Sequence, residues 1–235
     1  MANGVGAENQ LTMPMKTFNT QLHIPTFVYF DLGGVLIKDF SCSDKGSNML
    51  QELGIRPSSA ARFRKLWAEH AAPRVNIDYD ADIFHQIIEK EFKIQIPEGY
   101  SLLQHGFVDR FEPNPSIVPV LDQLQDRVKL GLLTNMYPRM LQAIKAKQGL
   151  MPMVLWDVVI DSSEVKMQKP EASIFDHATE LAGKPKEQIL FIDNTHEHIA
   201  AASVYGWQTH YYDSSHYEQS SEALGNYLAE LGLAA

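Results

Sequence analysis

Apolar and polar positions alternate along this chain in two different rhythms, and the rhythm changes twice. The first signal is the run Thr26-Phe-Val-Tyr-Phe-Asp31-Leu-Gly-Gly-Val-Leu36. Its β-branched and aromatic residues predict a buried strand that ends at a carboxylate, Asp31. Gly33 and Gly34 let the backbone turn sharply there and approach a ligand closely. Residues 44–112 then carry helical periodicity and no comparable strand run. Phe63, Leu66, Trp67 and His70 mark one stripe within residues 58–70, and Ile83, Ile87, Ile88 and Phe92 a second within residues 82–92. Phe111-Glu-Pro-Asn-Pro115 is a dense breaker that reads as a boundary.

Beyond it, helix and strand patterns alternate. Helices are expected over residues 117–125, 138–148, 171–182, 196–205 and 218–231, and extended segments over 128–133, 154–160, 188–193 and 207–212. Such alternation predicts an α/β protein, a parallel sheet wrapped by helices with its strand carboxyl ends on one edge. The chain thus divides into a tail over residues 1–25, an α/β core over 26–43 and 113–235, and an inserted α-helical cap over 44–112. A cap in that position is expected to lie over the strand ends and exclude water from them.

Composition narrows the classes without choosing among them. A length of 235 residues suits one medium core with a smaller subdomain, and 45% hydrophobic with 21% charged residues is ordinary for a globular chain. The net charge of −9 argues against non-specific binding to nucleic acid or an anionic membrane. Cys42 is the sole cysteine, which excludes an intrachain disulfide and a zinc–thiolate cluster. The first 25 residues lack the marks of a secretion signal, and no apolar run reaches the roughly 18 residues of a membrane span. The expectation is a soluble cytoplasmic protein, monomeric or homodimeric.

Chemistry-bearing residues fall at four predicted strand or loop ends: Asp31, Thr134-Asn135, Lys169-Pro170 and Asp193-Asn194. In that order and spacing they resemble the haloacid dehalogenase superfamily of hydrolases, over residues 26–212. Asp31-Leu-Gly-Gly-Val-Leu resembles the first motif, Leu132-Leu-Thr-Asn the second, and Lys169-Pro-Glu-Ala-Ser-Ile-Phe the third. Phe191-Ile-Asp-Asn-Thr-His-Glu-His198, with Ala202 and Gly206 beyond, resembles the fourth.

The resemblance implies a Rossmann-like core under a helical cap and a hydrolase with Asp31 as nucleophile. A carboxylate nucleophile splits one hard displacement into two through a covalent intermediate. Phosphoryl transfer further needs positioning and charge neutralisation, which the resemblance assigns to Thr134, Asn135 and Lys169. It also implies Mg²⁺ held by Asp31, the Gly33 carbonyl, Asp193 and Asn194, all hard oxygen donors. The implied reaction is hydrolysis of a small phosphorylated metabolite, such as a sugar phosphate.

The pattern departs from the family in two places. Many of its phosphatases carry a second aspartate, the general acid–base, where Gly33 stands here, although some helical-cap members also show glycine. Their fourth motif has two adjacent acidic residues and a later Asn or Asp, where this chain has Asp193-Asn194 and His198. An amide in place of a carboxylate predicts weaker Mg²⁺ binding. The cap histidines His70, His85 and His105 are candidate substitutes for the missing acid. Two other readings stay open: a metal-independent 2-haloacid dehalogenase, with Arg62 or Arg64 binding the halide, and a catalytically weakened binding protein on the same fold.

Overall fold

The computed structural model describes residues 23–233 except Pro73 and Val75, so most of the expected tail lies outside the described residues. The chain enters through β1 (Phe27–Phe30), turns through Gly33 and Gly34, and forms the short β2 (Ile37–Lys38). Three helices follow: α1 (Lys45–Glu52), α2 (Ala60–His70) and α3 (His85–Phe92). A π-helical turn over Leu102–Phe107 leads to β3 (Glu112–Pro113). The chain then alternates through α4 (Val118–Leu124), β4 (Lys129–Thr134), α5 (Met140–Ala146), β5 (Val158–Asp161) and the single turn α6 (Ser162–Val165). It closes with α7 (Ala172–Ala182), β6 (Ile189–Asp193), α8 (His196–Tyr205), β7 (Gln208–Tyr211) and α9 (Tyr217–Glu230).

Five strands form one parallel sheet in the order β5-β4-β1-β6-β7, with helices on both faces. All four residues of β1 are buried, as the centre of a doubly covered parallel sheet requires. Successive side chains point to opposite faces. Phe27 and Tyr29 therefore join Phe175, Phe191 and Trp207 on one side, while Val28 and Phe30 join the larger core on the other. Tyr29 stacks on Trp207 at 5.5 Å between ring centres, and its hydroxyl donates to the Ala178 carbonyl at 2.8 Å.

Among the described residues, 45–110 add no strand to this sheet. Their apolar side chains merge with the core, since Trp67 of α2 lies against Phe84, Phe107 and the core residue Tyr137. The second expected stripe holds at Ile87, Ile88 and Phe92, which pack against the core, and fails only at its first position. Ile83 is 54% exposed, and Phe84 is buried in its place. The Asp80 side chain accepts from the Asp82 N–H and opens a 3₁₀ turn over Ala81–Phe84, which rotates this stretch relative to an α-helix.

The breaker at residues 111–115 also contains structure. Glu112 and Pro113 pair antiparallel with Lys38 and Ile37, so the chain enters and leaves the helical segment through a two-stranded ribbon. Proline is tolerated because so short a ladder does not need its N–H. Strand β5 begins only at Val158, which leaves Met153 and Leu155 exposed in the preceding loop. Among the described residues no helix is long and apolar enough to cross a membrane.

Candidate active site

Register brings three strand ends together. Phe30 pairs with Leu132 on one flank and with Ile192 on the other, so Asp31 stands level with Asp193 and beside the end of β4 at Thr134. The carboxyl edge of a parallel sheet is where such folds build sites. The Asp31 N–H donates to the Ile192 carbonyl at 2.9 Å, and Asp31 Oδ1 accepts from the Leu32 N–H at 2.7 Å. Asp31 Oδ2 accepts no hydrogen bond among the described residues.

Lys169 completes the charge pattern. Its side chain is fully buried, with Nζ 3.0 Å from Asp31 Oδ1 and 2.7 Å from Asp193 Oδ2. The Asn135 side chain clamps its backbone: the Lys169 N–H donates to Asn135 Oδ1 and Asn135 Nδ2 donates to the Lys169 carbonyl, both at 2.9 Å. Asn135 thus borders the cleft with its amide committed to positioning Lys169. Asp193 is closed in from every side. Its Oδ1 accepts from the Thr195 N–H at 2.7 Å, and its Oδ2 also meets His198 Nδ1 at 3.1 Å.

The three charges respond differently to burial. Burial disfavours the Asp193 carboxylate, yet Lys169 and His198 hold it down at about 2. Asp31 moves the other way, because burial, reinforced by the Asp193 charge, outweighs the pull of Lys169 and pushes its carboxyl upward. Burial works against the Lys169 charge too, but the two carboxylates more than offset it and keep the ammonium protonated.

Around this triplet lies a cleft of about 710 Å³. From the core it is bordered by Asp31, Gly33, Thr134, Asn194 and His198, and from the helical segment by Phe63, Arg64, Trp67 and Phe107. The Thr134 hydroxyl is buried and has no hydrogen-bond partner among the described residues. An orphaned hydroxyl beside a cleft is a donor that a bound oxyanion would satisfy. Of the two candidate halide-binding arginines, Arg64 borders the cleft, whereas Arg62 pairs with Glu91 at 2.6 Å. The three cap histidines lie elsewhere. His70 is exposed, His85 Nε2 accepts from the Leu102 N–H, and His105 Nδ1 accepts from the Ser101 N–H.

The residues expected at a metal ion are not equivalent in the structure. No cluster of three His, Cys, Asp or Glu side chains suited to an ion occurs among the described residues. Asp193 is enclosed, but Asp31 and Gly33 border the cleft, and the Gly33 carbonyl accepts no hydrogen bond among the described residues. Asn194 borders it too. Ser214 Oγ donates to the Gly34 carbonyl, so it can only accept from Asn194 Nδ2, which also donates to Ser41 Oγ. That orients the amide and leaves its Oδ1, which accepts only a long 3.5 Å hydrogen bond from the Thr195 hydroxyl among the described residues, as the ligand end. One carboxylate oxygen, one carbonyl and one amide oxygen fit a Mg²⁺ that keeps several of its waters.

Sequence reasoning did not single out Asp39. It follows β2, borders the cleft, and holds the Ser41 N–H at 2.8 Å through Oδ1. Burial raises its carboxyl above the usual range, against the Ser41 hydrogen bonds. The local signal was an Asp two residues before a Ser, which favours a side-chain-capped turn.

An α/β fold with a strand-end aspartate, a buried lysine and an inserted helical segment defines a class of hydrolase. The model of the haloacid dehalogenase-like hydrolase family matches residues 27–206, and the chain belongs to that family. It is 30% identical over 109 residues to the pyrimidine 5'-nucleotidase YjjG of Escherichia coli, a match covering 46% of this chain and 48%, about half, of that one. It is 24% identical over 189 residues to a phosphoglycolate phosphatase of Pseudomonas savastanoi, covering 78% of this chain and 67% of the relative. In fold it is similar to a haloacid dehalogenase family enzyme of Bacteroides thetaiotaomicron, bt-2542, crystallised with magnesium and inorganic phosphate. That likeness has a TM-score of 0.64 at 18% identity, covering 81% of this chain and 95% of the other.

Proposed function

We propose that this protein is a Mg²⁺-dependent phosphomonoesterase acting on a small phosphorylated metabolite, with Asp31 as nucleophile. One observation carries the reading: Asp31 is held through Oδ1 by Lys169 and Leu32, while among the described residues its Oδ2 is unclaimed and the Thr134 hydroxyl bordering the same cleft has no partner. The phosphatase and nucleotidase relatives support it.

In this reading Asp31 Oδ2 attacks phosphorus and the ester oxygen leaves. Water then hydrolyses the phosphoaspartate and regenerates the carboxylate. Lys169 offsets the charge on Asp31 and on the transferring group, and the Thr134 hydroxyl donates to a phosphoryl oxygen. Asp193 fixes the Lys169 ammonium, and Asn135 fixes its backbone. A bound Mg²⁺ would be held by Asp31, the Gly33 carbonyl and Asn194 Oδ1, where it supplies positive charge toward the phosphoryl oxygens. The helical cap over residues 44–112 excludes water and selects the substrate through Arg64, Trp67 and Phe107.

The test is hydrolysis of p-nitrophenyl phosphate and a panel of sugar and nucleotide monophosphates, with and without Mg²⁺. Asp31→Asn, purified in parallel, serves as the control. Metal-dependent phosphate release that vanishes in Asp31→Asn is the expected result. Halide release from a 2-haloacid without any phosphatase activity would overturn it in favour of dehalogenation.

A further inference from the structure

A monoester whose leaving group is an alcohol needs a proton on that oxygen as its bond to phosphorus breaks, and the water that follows must lose one. Position 33, two residues beyond the nucleophile, has no side chain to do this. The space beside it is nevertheless filled. A Cβ built on Gly33 would stand 2.6 Å from Asp39 Oδ2 and 3.3 Å from Asp39 Cγ. The carboxyl group of Asp39 therefore occupies the volume that a side chain at position 33 would enter, although it arrives from six residues further along the chain.

Its two oxygens are unequally engaged. Oδ1 accepts from the Ser41 N–H at 2.8 Å, which fixes the side chain's direction. Oδ2 accepts no hydrogen bond among the described residues, and the residue borders the same cleft as Asp31. The other titratable side chains bordering that cleft are otherwise committed or unsuited. His198 shares Asp193 Oδ2 with Lys169, and Arg64 does not release protons near neutrality. The remaining one, Tyr137, is packed between Trp67 and Phe107.

The geometry points to Asp39 as the group that donates a proton to the leaving oxygen and then accepts one from the attacking water. The inference rests on the phosphomonoesterase reading. In the first step the Asp39 O–H bond breaks and its proton joins the ester oxygen, as phosphorus exchanges that oxygen for Asp31 Oδ2. In the second step water's oxygen bonds to phosphorus, the bond to Asp31 breaks, and water's proton returns to Asp39. The sum is ester plus water giving alcohol plus phosphate. Gly33 is then a requirement of the arrangement, since any side chain there would displace the Asp39 carboxyl group.

Asp39→Asn keeps the shape and the acceptor for the Ser41 N–H but cannot shuttle a proton. The measurement compares kcat/KM of this variant, of His198→Gln and of the wild type on phenyl phosphate and p-nitrophenyl phosphate, two esters of similar shape and different leaving ability. Asp39→Asn is expected to lose on the order of 10²–10⁴-fold on phenyl phosphate and far less on the nitrophenyl ester. It should also release a burst of one nitrophenolate per enzyme before a slow steady state, because its second step lacks the base. Equal losses on both esters, or a leaving-group-dependent loss confined to His198→Gln, would overturn the assignment while leaving the phosphatase reading intact. A wild-type enzyme without turnover on any monoester would overturn both.

Discussion

Lys169 sits between two carboxylates with no water-exposed surface, and this links the charge state of the site to the stability of the fold. The Asp193 carboxyl drops from 3.8 to about 2 on folding. A group depressed in the folded state contributes stability above its unfolded value and loses it as pH falls through its folded value. At 1.36 kcal/mol per pH unit, roughly 2 kcal/mol should disappear between about pH 4 and pH 2. Asp31, raised by burial, works in the opposite sense: its contribution is present below its unfolded value and lost as pH rises through the folded one. Urea unfolding stepped through that window in EDTA should show the wild type losing stability and Asp193→Asn a flatter profile. Parallel profiles would remove Asp193 from this role. At the neighbouring position, Asn194→Asp adds the carboxylate that the fourth motif lacks. Calorimetric titration should then show Mg²⁺ binding tightened about tenfold or more, and unchanged affinity would place the ion away from Asn194.

Among the elements, the central strands leave least room for change. Gly131 of β4 lies under the aromatic pair of β1: a Cβ there would come within 2.4 Å of the Tyr29 ring and 2.8 Å of the Phe27 ring. Tyr29 cannot yield easily, because it stacks on Trp207 and its hydroxyl is bonded to α7. Gly131→Ala should therefore destabilise the fold by about 1–3 kcal/mol through overpacking, read as a lower urea midpoint at unchanged slope. Sequence patterns located these strands because β1, β4 and β6 are local apolar runs whose burial depends little on partners. Only the start of the 81–92 stretch was less legible. Its capping at Asp80 and the 3₁₀ turn after it shift the buried face from Ile83 to Phe84, and apolar spacing alone carries no phase for such a turn.

For the molecule as a whole, the contacts that matter are those between the helical segment and the core. Arg139, at the start of α5, reaches across to Asp80 at 2.6 and 3.0 Å and to Asp82 at 3.1 Å. Lys147 Nζ donates to the carbonyls of Val108, Asp109 and Phe111, and Ser162 Oγ to that of Asn76. The Arg139 pairs are half-exposed, so Arg139→Ala should cost under ~1 kcal/mol of global stability. Its effect should be local: faster amide exchange around residues 80–105 with little change in α7 or β6, measured by hydrogen–deuterium exchange. Uniformly faster exchange would mean that Arg139 supports the core and not this junction.

What the chain determined by itself is what short-range pattern can encode: the alternation of strands and helices, and the four chemistry-bearing segments at their ends. Asp31, Thr134, Lys169 and Asp193 were legible because each sits at the close of an apolar run or before a helix. Tertiary structure decided which atoms of those residues are free. Asp193 is enclosed by Lys169, Thr195 and His198, Asn135 is spent on the Lys169 backbone, and Asn194 is turned by Ser41 and Ser214. The approach of Asp39 to Gly33 belongs to the same class. These are contacts between segments brought together only by sheet register and by the ribbon of β2 and β3, and hydrophobic periodicity holds no record of which polar atoms will meet.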